Sequence, residues 1–187
     1  ERTIIVLLSD HGEELVARYP GKRIGHGHTV YDELLHVPLI IVAPGRVAAG
    51  ARIGEMVQII DVMPTLLEML NLPAPPGIQG VSFAKVFRGE PLTERHAFAE
   101  ATNNGPERKT LRDGRYKYIR LFPRSDKTAR EIAAPIPEEE FFDLASDPEE
   151  RASILDKGGS ALGELRRQLE AIVALNLTLR SAAPEQL

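Results

Sequence analysis

The sequence predicts an α/β first half followed by an antiparallel α+β second half, and three observations carry that division. Thr3 to Leu8 and Val37 to Ala43 are continuous apolar, β-branched runs of strand length, the pattern of strands covered on both faces of a parallel sheet. Asp113-Gly114 stands between two strand-like segments, Lys109 to Arg112 and Arg115 to Leu121, which signals a two-residue hairpin. Ser160 to about Arg180 places Leu162, Leu165, Leu169 and Ile172 on one helical stripe. The boundary falls near residue 92, giving an α/β part over 1–92 and an α+β part over 93–187.

The elements follow in order. The first strand ends at Ser9-Asp10-His11-Gly12, polar groups followed by a turn-forming Gly, the usual place for a ligand site in an α/β fold. A polar Gly-rich loop, Tyr19 to Thr29, leads to a short helix from Tyr31 to Leu35, and Pro44-Gly45 closes the second strand. Met56 to Ile60 reads as extended. Asp61 then caps a helix to about Leu70, with Pro64 tolerated in its first turn. Because that helix is apolar on nearly all sides, deep packing is expected. Leu72 to Gly80 is loop, Ser82 to Arg88 a short helix, and His96 to Ala101 alternates weakly as a strand. Pro123 to Pro137 is a charged, Pro-rich surface loop, and Phe141 to Leu144 is a short strand. No internal repeat is found.

Composition narrows the function. With 43% hydrophobic residues the 187-residue chain can bury a core, and its 15 Gly and 14 Pro fall well under the roughly 25–30% share of low-complexity sequence. A net charge of −4 supplies no basic excess for a phosphate backbone, so nucleic acid is excluded as a partner. The apolar runs are far shorter than the ~20 residues of a membrane-spanning helix. The absence of Cys excludes disulfides, thiolate metal sites and a Cys nucleophile, and leaves the compartment open. The chain starts at Glu1 without Met and enters a buried-type strand almost at once, as expected of a piece of a longer protein.

Two clusters could carry chemistry. Asp10-His11 sets a carboxylate beside an imidazole, a donor pair suited to a divalent metal, and Gly12 lets the backbone turn so that both side chains point one way. A turn Asp beside a hydrogen-bonded His is the bland alternative. Gly25-His26-Gly27-His28-Thr29 is a Gly-flanked His pair able to bind metal, donate a proton or hold an anion, or else a solvated loop. His36 reads as a structural partner at a strand entrance, and His96 has no companions. No phosphate-binding Gly-Lys-Ser/Thr loop, HExxH, GxSxG or calcium-loop pattern occurs. The acidic runs Glu138-Glu139-Glu140 and Asp147-Pro148-Glu149-Glu150 are expected to be solvated surface.

Taken in order, Leu8-Ser9-Asp10-His11-Gly12-Glu13, Gly25 to Glu33, His36-Val37-Pro38-Leu39-Ile40-Ile41 with Pro44-Gly45, Gln58 to Leu67, Arg112 to Ile119 and Phe142 to Glu150 resemble the C-terminal half of a sulfatase of the alkaline phosphatase superfamily. The resemblance implies part of that superfamily's α/β/α sandwich, followed by a small antiparallel sheet with a packed C-terminal helix. It makes Asp10 and His11 metal ligands, for calcium, with manganese or zinc as the alternative since imidazole suits transition metals. Many sulfatases carry a sulfate-contacting Lys nine positions before the residue that precedes Val-Pro. Here that position is Gly27, so the anion-binding or acid role passes to His26 first and His28 second. The family nucleophile, a formylglycine made from Cys or Ser in Cys/Ser-x-Pro-x-Arg, has no counterpart in the sequence. The resemblance therefore implies a sulfuric ester hydrolase acting on a sulfate-ester (or phosphate-ester) small molecule or glycan, with the missing N-terminal half of the same protein as partner. The fragment alone is expected to be inactive. The alternatives are a phosphonate or phosphodiester hydrolase, a phosphoethanolamine transferase, or an inactive truncated product.

Overall fold

Contacts divide the chain into two units. One comprises Glu1–His11 with His36–Ala97, the other Gly12–Leu35 with Phe98–Leu187. The computed structural model describes residues 3–18, 24–102, 106–122 and 136–182. Most of the expected Pro123 to Pro137 loop and the start of the Tyr19 to Thr29 loop lie outside the described residues. Among the described residues no helix is long and apolar enough to cross a membrane.

In the first unit, β1 (Ile5–Leu8) and β2 (Leu39–Val42) pair directly and antiparallel, Ile5 opposite Val42 and Leu8 opposite Leu39. The expectation of parallel strands covered on both faces is corrected here. A continuous apolar run records hydrophobicity and strand propensity but not strand direction. Side chains alternate across the pair: Ile4 and Ile41 pack with Ala43, Met69 and Ala84, whereas Ile5 and Leu7 remain 58% and 59% exposed. Ile40 and Val42 share that open face.

Met56 to Ile60 forms no strand; a 3₁₀ turn over Ile59–Asp61 runs into α2 (Val62–Met69). Asp61 makes no side-chain cap to α2. Its fully buried carboxylate accepts from Gln58 N–H at 2.7 Å, Val81 N–H at 2.8 Å and Arg95 Nη2 at 2.9 Å, so it ties the turn to two later segments. α2 is less enclosed than expected, since Pro64, Thr65 and Met69 are buried but Met63 and Leu70 are exposed. A second 3₁₀ turn, Ala84–Arg88, occupies the place of the expected short helix.

The second unit contains α1 (Asp32–Leu35) and a four-stranded sheet in the order β3 (Ala97–Ala101), β4 (Glu107–Arg112), β5 (Tyr116–Phe122), β6 (Glu139–Asp143), with β4–β5 and β5–β6 antiparallel. Period-two alternation gives this sheet two buried faces. Leu111, Tyr118 and Phe141 pack against Leu162, Leu165 and Leu169 of α3 (Gly159–Ala182), which confirms the predicted stripe. Ile119 and Phe142 face the other way, onto Val30, Tyr31 and Ala101.

The β4–β5 hairpin forms where predicted, but with a shifted turn. Arg112 pairs with Lys117, and Asp113 N–H donates to Tyr116 O at 3.0 Å. Asp113 is thus the first turn residue rather than a central one. Its carboxylate accepts from the N–H groups of Arg115 (2.7 Å) and Tyr116 (2.5 Å), the local bonding that makes Asp a turn starter.

Candidate functional site

The turn after β1 brings the first predicted pair together. Ser9 Oγ donates to His11 O at 2.6 Å and His11 N–H to Asp10 Oδ1 at 3.0 Å, which folds the backbone sharply where the strand stops. His11 Nε2 then lies 3.6 Å from Asp10 Oδ2. A carboxylate oxygen and an imidazole nitrogen this close, both reachable by solvent, are a chemically suitable donor set for one divalent cation. The glycine that follows has a further reason beyond turning: a Cβ on Gly12 would sit 2.0 Å from Glu33 O, and Gly12 N–H bonds Leu34 O at 2.8 Å. Only Gly fits against the end of α1.

The second predicted pair sits on a two-rung structure. Glu14 and Gly25 exchange both backbone hydrogen bonds, at 2.8 and 3.0 Å, with Gly25 at φ 118°, a conformation that L side chains rarely adopt. This bridge aligns two acidic residues with two histidines. His26 Nδ1 is 3.1 Å from Glu13 Oε2, and these side chains are 53% and 46% exposed. His28 Nε2 is 2.7 Å from Glu14 Oε2, and these are 18% and 4% exposed. His26 is presented to solvent while His28 is drawn inward by its carboxylate.

The same unit holds a buried charge network whose member Glu150 was expected at the surface with the rest of its acidic run. Glu150 is 2% exposed, and its carboxylate accepts from Asp32 N–H at 2.6 Å. Lys117 Nζ, wholly buried, lies 2.8 Å from Asp32 Oδ1 and 2.7 Å from Glu150 Oε1, the latter an ion pair without hydrogen-bond alignment. Arg112 also pairs with Asp32. Arg18 pairs with Glu33 through Nε (2.7 Å) and Nη2, donates to the carbonyls of Glu149 (2.9 Å) and Glu150 (2.6 Å), and lies 3.9 Å over the Tyr31 ring. Burial pushes the Asp32 carboxyl upward, but Lys117 and Arg112 outweigh it and hold Asp32 below the ordinary carboxylate range. For Glu150 burial prevails over Lys117 and the carboxyl is raised.

In the acidic run 138–140 the expectation holds for Glu138, which is exposed, and is corrected at Glu140. Glu140 is buried and accepts from Tyr31 Oη at 2.6 Å, while Glu139 accepts from Tyr118 Oη at 2.7 Å and pairs with Arg166. A run of like charges indicates solvation only when no cations and hydroxyls converge on it from distant segments. Here Arg166 and the two tyrosines do so at Glu139 and Glu140, and Lys117 does so at Glu150. The sequence reading missed Glu13, Glu14, Arg18 and Lys117. The only local signal for the two glutamates was their position directly after Asp10-His11-Gly12.

The comparisons with known proteins bear on family and fold. The family model for the C-terminal region of N-sulphoglucosamine sulphohydrolase matches residues 25–175. Arylsulfatase K of Bos taurus is 28% identical over 92% of this chain, which corresponds to 31% of the relative's own length. The chain therefore spans about a third of the curated relatives it matches. Among solved structures, a 2-O GAG sulfatase superposes with a TM-score of 0.74 at 23% identity, covering 96% of this chain and 38% of that one. A phosphonate monoester hydrolase from Silicibacter pomeroyi gives 0.65 at 25% identity, covering 94% and 35%. The sulfatase-like fold follows from these superpositions, and from the family match over most of its length this chain belongs to the sulfatases, as a counterpart of their C-terminal part.

Proposed function

We propose that this chain is the C-terminal portion of a metal-dependent sulfuric ester hydrolase, supplying part of its cation site and its anion-handling histidines. The observation that carries the reading is the Asp10 Oδ2 and His11 Nε2 pair, 3.6 Å apart at the end of β1, in a chain of sulfatase ancestry. Asp10 and His11 would hold the cation, calcium on the family resemblance, with manganese or zinc as the alternatives that the imidazole favours. When bound, the cation supplies charge stabilisation at the non-bridging oxygens of the ester.

The residues of this chain do the rest. His26, exposed beside Glu13, binds the anion and, as the imidazolium with its Nδ1–H given to Glu13, protonates the leaving oxygen from Nε2. His28 supports it from the more buried position. The substrate is a sulfate ester on a sugar or related small molecule, as the name of the matching family suggests. The nucleophile comes from outside these 187 residues, which contain no Cys and no Cys/Ser-x-Pro-x-Arg sequence.

The test is hydrolysis of an aryl sulfate and of a phosphonate monoester, with and without Ca²⁺ or Mn²⁺, by this chain and by the full-length enzyme. No turnover is expected from the 187 residues alone, and metal-dependent sulfate release from the full-length protein. Metal-dependent turnover by the short chain would overturn the divided site. A full-length enzyme that cleaves only the phosphonate would establish the phosphoryl-transfer alternative, which the Silicibacter pomeroyi likeness favours.

A further inference from the structure

The two Glu–His pairs across the Glu14–Gly25 bridge are alike in composition and opposite in setting. Glu13 and His26 are both about half exposed, so water competes for every hydrogen bond they make. Glu14 is nearly enclosed, and both of its carboxylate oxygens are committed. Oε1 accepts from Arg18 N–H at 2.9 Å, and Oε2 faces His28 Nε2 at 2.7 Å. That N–H is the Arg18 backbone amide, and the guanidinium of the same residue is held by Glu33, the Tyr31 ring and the carbonyls of Glu149 and Glu150. The carboxylate that meets His28 therefore has no freedom to turn away.

A carboxylate only accepts, so the nitrogen facing it must carry the proton. We infer that Glu14 is a positioning residue that fixes His28 as its Nε2–H tautomer, leaving Nδ1 as a lone pair. A neutral imidazole so fixed accepts a hydrogen bond at its second nitrogen and does not donate there. His28 then meets a donor on the substrate, a hydroxyl or amine beside the ester, while proton donation to the ester falls to His26. This assignment of work rests on the hydrolase reading above, whereas the tautomer does not.

The experiment reads the ring nitrogens of His28 in the 187-residue chain by long-range ¹H–¹⁵N NMR at about pH 8.5, roughly two units above the ordinary imidazole range. The wild-type chain is expected to show Nε2 protonated and Nδ1 unprotonated. In Glu14→Met, which removes the acceptor at similar length, the two His28 nitrogen shifts should move toward each other as the tautomers mix. The His26 shifts should stay in place, and Glu13→Met should leave His28 unchanged. Amide shifts of β4, β5 and β6 report whether each variant keeps its fold. A wild-type His28 in the Nδ1–H form, or as an even tautomer mixture, would overturn the inference even if Glu14→Met does not fold. So would a folded Glu14→Met chain with unchanged His28 shifts. None of these readings involves turnover, so failure of the hydrolase assignment and failure of this inference are told apart.

Discussion

The two units bury their apolar strands very differently. In the Gly12–Leu35 and Phe98–Leu187 unit the sheet is covered on both faces by its own chain, α3 on one side and Val30 and Tyr31 on the other. Even its charged groups Lys117, Asp32 and Glu150 are enclosed and paired. In the Glu1–His11 and His36–Ala97 unit, one face of β1–β2 packs on α2 residues, and the other leaves Ile5, Leu7, Ile40 and Val42 open. The sequence marked Thr3 to Leu8 and Val37 to Ala43 as the strands covered on both faces and gave no such sign for the later ones. The difference shows that an apolar run reports what a strand can bury, and only the available partners decide what it does bury.

That contrast can be broken or sharpened by mutation, and the largest effect should come from the charges. Lys117→Met leaves Asp32 and Glu150 facing each other in the interior without their common cation. Losing one partner of a buried pair costs about 3–5 kcal/mol, so urea unfolding of the variant should show a stability loss of that order. A loss under about 1 kcal/mol, the range of surface pairs, would mean the network is solvated after all.

Next come matched apolar truncations. Leu165→Ala, at a fully enclosed α3 position, should cost about 2–5 kcal/mol, whereas Leu7→Thr on the open face of β1 should stay within about 0.5 kcal/mol. Equal losses at the two sites would erase the distinction between the units.

How far the sequence could be read follows from the same physics. The α3 stripe, the hairpin and the short α1 were legible because each is written in local periodicity or turn chemistry. The antiparallel direction of β1–β2 was not, since Thr3 to Leu8 would look the same in either orientation. The closeness of the Asp10 and His11 donor atoms was foreseeable from their place at a strand end before Gly12. The burial of Glu150 was not: it depends on Lys117 and the Asp32 N–H, which lie over thirty and over a hundred residues away in the chain. Long-range pairing of charges leaves no periodic trace.

The smallest expected effect is the pH dependence of the enclosed network. Glu150 has a folded-state pKa above its unfolded value, so its ionised form costs stability at neutral pH, and that cost disappears as pH falls through the raised pKa. Asp32 has a folded-state pKa below its unfolded value. Its contribution is present above the ordinary carboxylate range and is lost as pH falls through the lowered one. Urea midpoints against pH should therefore show a slight gain on mild acidification followed by a loss at lower pH. Glu150→Gln should abolish the gain and keep the loss. A gain that survives in Glu150→Gln would assign it to another group.

The measurement that bears most directly on the whole account is kcat/KM and bound metal in the full-length enzyme after Asp10→Ala. If Asp10 holds the cation, divalent metal is lost and sulfate ester hydrolysis falls by more than the roughly 10–100-fold typical of removing an outer-shell partner. Full metal content and wild-type turnover in the Asp10→Ala enzyme would contradict it.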